Sequence, residues 1–407
     1  MIYAGLNNIA RGSLMNRRQF FASAGAAGIA LAARAADSPP TLRVAIIGHT
    51  GRGNYGHGLD SMWLHVPQTE IVAVADADPQ GLAAAQKRLK VAQGFGDYGR
   101  MLAETRPDLV AICPRYVDQH CDMALAAIEA GARGIYMEKP FCRTPAEADA
   151  IVAACQRRHA KLAVAHRNRY HPVMPLLERM IKEGAIGRLL EIRGRGKEDE
   201  RGGALDLWVL GSHVLNLTHY FAGKPLACSA VLLQDGRPVT RADVQQGAEG
   251  VGPIAGNEVH ARFDTERGVP AFFDSIRKAG SRAASFGMQL IGTQGIIDLR
   301  FDTDPVAHLV PGSPFQPTNE ARPWIAISTA GPGKPEPITE LAVQSKYHLW
   351  PAQDLIAAIR ENRPPLCSAE EGRITVETIA AVFESHRLDG RRVTLPLATR
   401  QNPLAIW

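Results

Sequence analysis

Beyond its first 35 residues, the chain has no apolar stretch approaching the roughly 20 residues that span a bilayer, so stable membrane insertion is not expected there. It is also nearly free of charge surplus. The formal charge of +5 includes Arg11, Arg17, Arg18 and Arg34, which stand without any acid in residues 1–35, and removing them leaves +1 for the remainder. That is too little to drive binding to a phosphate backbone, and no nucleic-acid partner is expected. The six cysteines, Cys113, Cys121, Cys142, Cys155, Cys228 and Cys367, show neither CxxC spacing nor a clustered framework, and read as mostly buried thiols. No His/Cys/Glu grouping has metal-ligand spacing, so no metal is expected. A GxSxG element and internal repeats are absent too. What is left is an ordinary globular composition over 407 residues, 45% hydrophobic and 21% charged, enough for about two domains.

The first 35 residues read as a leader. Asn16-Arg17-Arg18-Gln19-Phe20-Phe21 precedes an Ala/Gly-rich, weakly apolar run over 22–33, and Ala33-Arg34-Ala35 is a small-residue cleavage candidate. The paired arginines resemble a twin-arginine signal, which implies a periplasmic or otherwise exported protein and the twin-arginine export machinery as a partner. A chain folded in a reducing cytoplasm before export has no need of disulfides, in keeping with the scattered cysteines.

After the break at Ser38-Pro39-Pro40, an apolar run over 42–47 suits a buried parallel strand and leads into Gly48-His49-Thr50-Gly51-Arg52-Gly53. Glycines there let backbone turn tightly and approach a pyrophosphate, which would sit on the free N–H groups of a following helix. Thr50 stands where the usual second glycine would be. A second strand ends in Asp76, a carboxylate placed to accept both ribose hydroxyls of an adenosine half, and its charge would repel a 2′-phosphate, so NAD is favoured. Asp78 before Pro79 has the pattern of a helix cap. Strand 108–114, helix 119–130 and a strand reaching Met137 continue the alternation, which signals a doubly wound parallel sheet, the Rossmann dinucleotide-binding domain, over residues 41–165.

Glu138-Lys139-Pro140 ends the last of these strands, and with it the chain resembles the Gfo/Idh/MocA family, named for glucose-fructose oxidoreductase and inositol dehydrogenase. The resemblance covers residues 42–396 and rests further on Asn168-Arg169-Tyr170-His171-Pro172, Gly211-Ser212-His213, Ser368-Ala369-Glu370-Glu371-Gly372 and Gly390-Arg391-Arg392-Val393. It implies an α/β fold class with a second α/β domain, over 166–396, built on a large open antiparallel sheet, one face covered by helices and the other often used for homo-oligomer contact. Runs rich in strand-forming residues at 189–195, 227–233, 258–263, 271–276, 288–292 and 295–300 agree, with Thr293-Gln294-Gly295 as a hairpin turn. Residues 311–337 read as a long surface excursion with a strand at 324–328, and 345–362 as a helix.

Oxidising a secondary alcohol needs a base, a group that stabilises the alkoxide, and a nicotinamide in line with the C–H bond. Lys139 stands at the carboxyl end of a sheet strand, where open α/β sheets bind ligands. The resemblance implies that it touches cofactor ribose and substrate hydroxyl, and that His213, in a helix expected over 205–221, is the acid/base. Many relatives place aspartates four residues before and three after this histidine, where this chain has Val209 and Asn216. Gly48, Thr50, Gly51, Arg52, Gly53, Asp76, Pro114, Arg115, Glu138 and Lys139 are expected at the cofactor. Arg169, Tyr170, Asp206, Trp208 and Asn216 are expected at the substrate, although Asp206 could equally cap the helix start and Trp208 could equally be core. His120 is divided between a pocket role and helix packing, and the loop 197–201 between sugar contact and a solvated face.

The leading expectation is hydride transfer between a secondary alcohol of a sugar, glycoside or polyol and tightly held NAD. The alternative is a redox-neutral glycosidase or lyase working through a transient keto-sugar. A sugar-binding protein that has lost catalysis is the third, which the missing aspartates permit. Because twin-arginine leaders usually begin one or two residues before the arginines, synthesis is expected to start at Met15; N-terminal sequencing of the unprocessed precursor should find that residue, and a precursor beginning at Met1 would refute it.

Overall fold

A computed structural model of the protein describes residues 40–280 and 286–407; the leader and its cleavage candidate lie outside the described residues. Six parallel strands form the first sheet: β1 Leu42–Ile47, β2 Thr69–Ala75, β3 Gly94–Phe95, β4 Leu109–Ile112, β5 Gly134–Met137 and β6 Lys161–Val164, in the order β3-β2-β1-β4-β5-β6. β4 (LVAI) and β5 (GIYM) are buried on both faces, as a parallel strand between helical layers must be. Helices α1 Pro79–Leu89, α2 Tyr98–Thr105, α3 His120–Glu129 and α4 Pro145–Arg158 supply those layers. Asp78 caps α1 by accepting from the Gly81 N–H, with Pro79 at its first turn, and Thr144 caps α4 in the same way before Pro145.

One expected helix does not form. After β1 the chain runs through turns to a short 3-10 helix, Ser61–His65, because Gly51, Gly53, Asn54, Gly56 and Gly58 all have positive φ, which a right-handed helix cannot accommodate. Burial supplies the tertiary reason: Tyr55, Leu59, Met62 and Trp63 of this loop pack with Val44, Ile46 and Val74 of β1 and β2. There is therefore no α-helix N-terminus directly after the glycine turn to hold a pyrophosphate.

The second half begins with α5 Met174–Lys182, β7 Leu189–Arg195, α6 Ala204–Val209 and α7 Gly211–Ala222. Strands β8 Pro225–Gln234, β9 Arg237–Pro238, β10 Gln245–Gln246, β11 Pro253–Ile254, β12 Glu258–Thr265, β13 Ala271–Ile276, β14 Gly287–Gly292, β15 Gly295–Arg300, β16 Ala307–Pro311, β17 Ile325–Ser328 and β18 Gly331–Pro332 follow, then α8 Leu341–Lys346, α9 Leu349–Glu361, α10 Ala369–Arg387 and β19 Val393–Thr394. Eleven of these strands make one open sheet in the order β18-β17-β16-β15-β14-β7-β13-β12-β8-β19, with β9 on β8. Every pairing is antiparallel except β7 with β13, so the sheet is mixed. Thr293 and Gln294 form the tight turn between β14 and β15.

α9 does not stay with the second sheet. Ala352, Leu355 and Ile356 bury against the first sheet's core, and a Cβ on Gly134 of β5 would sit 2.6 Å from Ile359. The chain thus returns to cover the dinucleotide-type sheet, and α10, capped by Ser368, runs beside α4 and β8 to join both halves.

Candidate active site

Lys139 leaves the carboxyl end of β5, and Ala165 to Asn168 leave the carboxyl end of β6 beside it. Across from them stands α7. Together they border a cavity of about 230 Å³ lined by His57, Glu138, Lys139, Ala165, Arg167, Asn168, Lys197, Arg201, Leu210, His213, Phe286, Asp302 and His348. The two residues expected to do the chemistry, Lys139 and His213, are thus brought to one space, each 8% exposed.

Local chain geometry sets their positions. The helix expected over 205–221 is broken at Leu210 (φ −122°, ψ −40°) into α6 and α7. The break leaves the last carbonyl of α6 without an intrahelical donor, and the Lys139 Nζ donates to that Val209 oxygen at 2.9 Å. Position 209 therefore serves the lysine through its backbone. On the other side of the break His213 opens α7, its N–H donating to the Leu210 carbonyl at 3.0 Å.

The Nδ1 atoms of His213 and His166 lie 3.5 Å apart, with the rings edge to face. Burial, then the neighbouring imidazole and the Lys139 charge, pushes His213 well below the usual imidazole value; burial first, then Lys139, pulls His166 down to about 3. Both rings are consequently neutral near pH 7. His348, which enters the cavity at the break between α8 and α9, pairs with the Tyr136 hydroxyl at 2.6 Å, and burial lowers it to about 4. Burial also lowers Lys139, against the opposing charge of Glu138. For Glu138 burial acts upward but is outweighed by contact with His57 and by the Lys139 charge, which hold it at about 2. Lys197 donates to Asp302 at 2.8 Å, and Arg167 approaches the same carboxylate at 3.8 Å.

The five residues expected at the substrate all lie elsewhere. Arg169 donates to the carbonyls of Leu366 and Asn216 and pairs with Glu371 at 2.8 Å, away from the cavity. Tyr170 accepts from the Cys367 N–H. Asn216 donates to Thr375 on α10, and Trp208 is 1% exposed in the core. Asp206 neither meets the cavity nor caps α6: it accepts from Ser275 Oγ at 2.7 Å and from the Glu198 N–H at 3.1 Å, pinning the loop that carries Lys197 and Arg201 to the cavity. For Arg169 and Tyr170 the cause is the 3-10 helix Arg167–Tyr170, which turns Arg167 and Asn168 to the cavity and the next two residues inward; Asp206, Trp208 and Asn216 lie on buried faces of α6 and α7. His120 resolves to packing, its ring bridging the carbonyls of Pro114 and Pro140.

The cofactor set is divided. Gly53, at φ +90°, lets its backbone meet that of Arg115, since a Cβ there would lie 2.3 Å from the Arg115 nitrogen. Gly48 leaves room for the Tyr55 ring, whereas a Cβ on Gly51 would meet nothing within 4 Å. The outer side of the turn is thus open to a ligand. Arg52 pairs with Asp118 and lies over Tyr116, with its Nε buried and unpartnered. Asp76 is not free: Thr50 N–H, Thr50 Oγ1, Tyr55 OH and Asp78 N–H all donate to it, and these bonds overcome burial to hold it below the usual carboxylate range. The acceptor sites of Asp76 are thus taken up within the fold.

Sequence reasoning missed His57, His166, Arg167, Asn168, Phe286, Asp302 and His348. A signal existed for three of these, because His166, Arg167 and Asn168 follow a parallel strand's carboxyl end as Lys139 does. Arg169, read as structural, makes its own prediction. Glu371→Ala should lower the unfolding free energy by about 3 kcal/mol in urea titrations, since it strands the buried guanidinium. A change within about 0.5 kcal/mol would mean that Arg169 does not depend on that pair.

Two family models match the chain: the oxidoreductase family's NAD-binding Rossmann fold over residues 42–166, and that family's C-terminal alpha/beta domain over 178–395. Levoglucosan dehydrogenase of Pseudarthrobacter phenanthrenivorans is 27% identical over 254 residues, 56% of this chain and 64% of that one. D-apiose dehydrogenase of Paraburkholderia graminis is 26% identical over 355 residues, 84% of this chain and 87% of that one. A solved structure of levoglucosan dehydrogenase in complex with NADH and levoglucosan superposes with a TM-score of 0.69 at 24% identity, covering 87% of this chain and 99% of that one. The chain belongs to the Gfo/Idh/MocA family of oxidoreductases, joining an NAD-binding Rossmann domain to the family's C-terminal alpha/beta domain.

Proposed function

We propose that the protein oxidises a secondary alcohol of a sugar, glycoside or polyol, with tightly held NAD taking the hydride. The observation that carries this reading is the meeting of Lys139 from the first lobe and His213 from the second in one water-accessible cavity. The likeness to levoglucosan and apiose dehydrogenases supports the substrate class.

In this reading the residues around the open side of Gly51, with Arg115, Glu138 and Lys139, hold the dinucleotide, which supplies a hydride acceptor when bound. Lys139, held by the Val209 carbonyl, donates a hydrogen bond to the substrate hydroxyl and stabilises the alkoxide as it forms. The neutral His213 imidazole takes the hydroxyl proton. His166 is the positioning partner, setting the orientation of the His213 ring in the absence of an aspartate at position 209. Asn168, Arg167 and Asp302 meet the remaining hydroxyls.

Lys139→Ala should lower turnover by about a thousandfold while the dinucleotide stays bound, read as NADH formation beside retained nucleotide absorbance. Undiminished turnover would remove Lys139 from the chemistry. The same assay run with aryl glycosides separates the redox-neutral alternative: aglycone released without net NADH would replace the dehydrogenase reading, and bound NAD with neither product would leave a binding protein.

We also propose export through the twin-arginine pathway with cofactor already loaded, and assembly as a homo-oligomer through the sheet face that α7 and α10 leave uncovered. All six cysteines are buried and unpaired, as folding in a reducing compartment would leave them. Exchanging Arg17 and Arg18 for lysines should retain the protein in the cytoplasm. Continued export would refute the route, and sedimentation of the mature protein as a single chain would refute the assembly.

A further inference from the structure

The cavity that holds Lys139 and His213 does not end at its far wall. Arg167, Asn168 and Asp302 form that wall, and the same three residues line a second cavity of about 320 Å³. The Arg167–Asp302 contact is loose at 3.8 Å, and the two side chains are 33% and 35% exposed. Between them lies Asn168, only 5% exposed, whose side-chain amide makes no hydrogen bond to any described residue. Its amide offers two donors and two acceptor sites to whatever occupies the cavity space. Its neighbours Arg169 and Tyr170 have their polar atoms satisfied by protein. Asn168, like Arg167 before it, instead faces both cavities.

The second cavity has two kinds of wall. Phe301, Val306 and Leu341 bring apolar groups to its lining, and Thr303, Asp304 and Ser345 bring polar ones. A pyranose ring asks for this combination, with its C–H face against carbon and its hydroxyls against donors and acceptors. Beyond it a third space of about 200 Å³ continues past His171 and Asp304 toward Lys334 and Glu336.

We infer that the second cavity is a subsite for another ring of the substrate, so that the sugar oxidised at Lys139 belongs to a disaccharide or a larger glycoside, with Asn168 bonded at the junction of the two rings. This rests on the oxidoreductase reading above and narrows its substrate class. Binding energy from the second ring then contributes to orienting the first against Lys139 and His213.

The test compares kcat/KM of the holoenzyme for D-glucose and D-galactose with that for cellobiose, maltose and lactose. At least one disaccharide should exceed its constituent monosaccharides by about tenfold or more. Ala342 is exposed on α8 and lines only the second cavity, so Ala342→Trp fills that space without touching the first. It should bring the disaccharide advantage down to about one while monosaccharide kcat/KM stays within about twofold. Monosaccharide turnover with no disaccharide advantage, or an equal loss of both in Ala342→Trp, overturns the second subsite and leaves the oxidoreductase reading standing. Turnover of none of the five sugars overturns both.

Discussion

The site depends on one hydrogen bond between the two lobes, from the Lys139 Nζ to the Val209 carbonyl. A lysine so deeply buried must have its ammonium met by an oriented dipole, and a charge-assisted bond of this kind contributes about 1.5–3 kcal/mol. Helix α6 supplies the dipole only because it stops one residue later, at Leu210, where the backbone leaves helical geometry. A continuous helix would have sent the Val209 oxygen to the N–H of residue 213. The same break therefore frees an acceptor for the lysine and starts a new helix at the point where His213 is needed.

Around that bond the electrostatics separate charge from neutrality. Glu138 is kept ionised by His57 and Lys139, while His166, His213 and His348 are held uncharged by burial. A neutral imidazole next to an ammonium is a combination able to accept a proton while the neighbouring positive charge steadies an oxyanion. Farther out, Asp206 works as a brace. Its bonds to Ser275 and to the Glu198 N–H hold the loop that presents Lys197 and Arg201, so a residue remote from the cavity governs part of its rim.

Much of the fold was legible in the sequence. The runs at 189–195, 258–263, 271–276 and 295–300 all lie within strands, because alternation and β-branched content respond to burial on a pleated surface. Helix continuity was less legible. Residues 205–221 and 345–362 each read as one helix, and each is interrupted, at Leu210 and at His348. Gly211 directly follows the first break and Pro351 stands in the first turn of α9 after the second, but a lone glycine or a first-turn proline does not by itself require a helix to stop. Both breaks deliver a residue to the cavity, which is where tertiary contacts override propensity.

By itself the sequence determined most of the strands, the cap at Asp78, and the placement of Lys139 at a strand's carboxyl end. These follow from interactions within a few residues. Only tertiary structure decided that Asp76 would be occupied by Thr50 and Tyr55, that Arg169, Tyr170, Trp208 and Asn216 would turn inward, that Asn168 and His348 would face the cavity, and that His166 would stand behind His213. The physical reason is that a side chain's direction on a short 3-10 helix or at a helix break is set by what packs against it, and those partners lie up to about 200 residues away, as Arg169 and Leu366 do with a separation of 197.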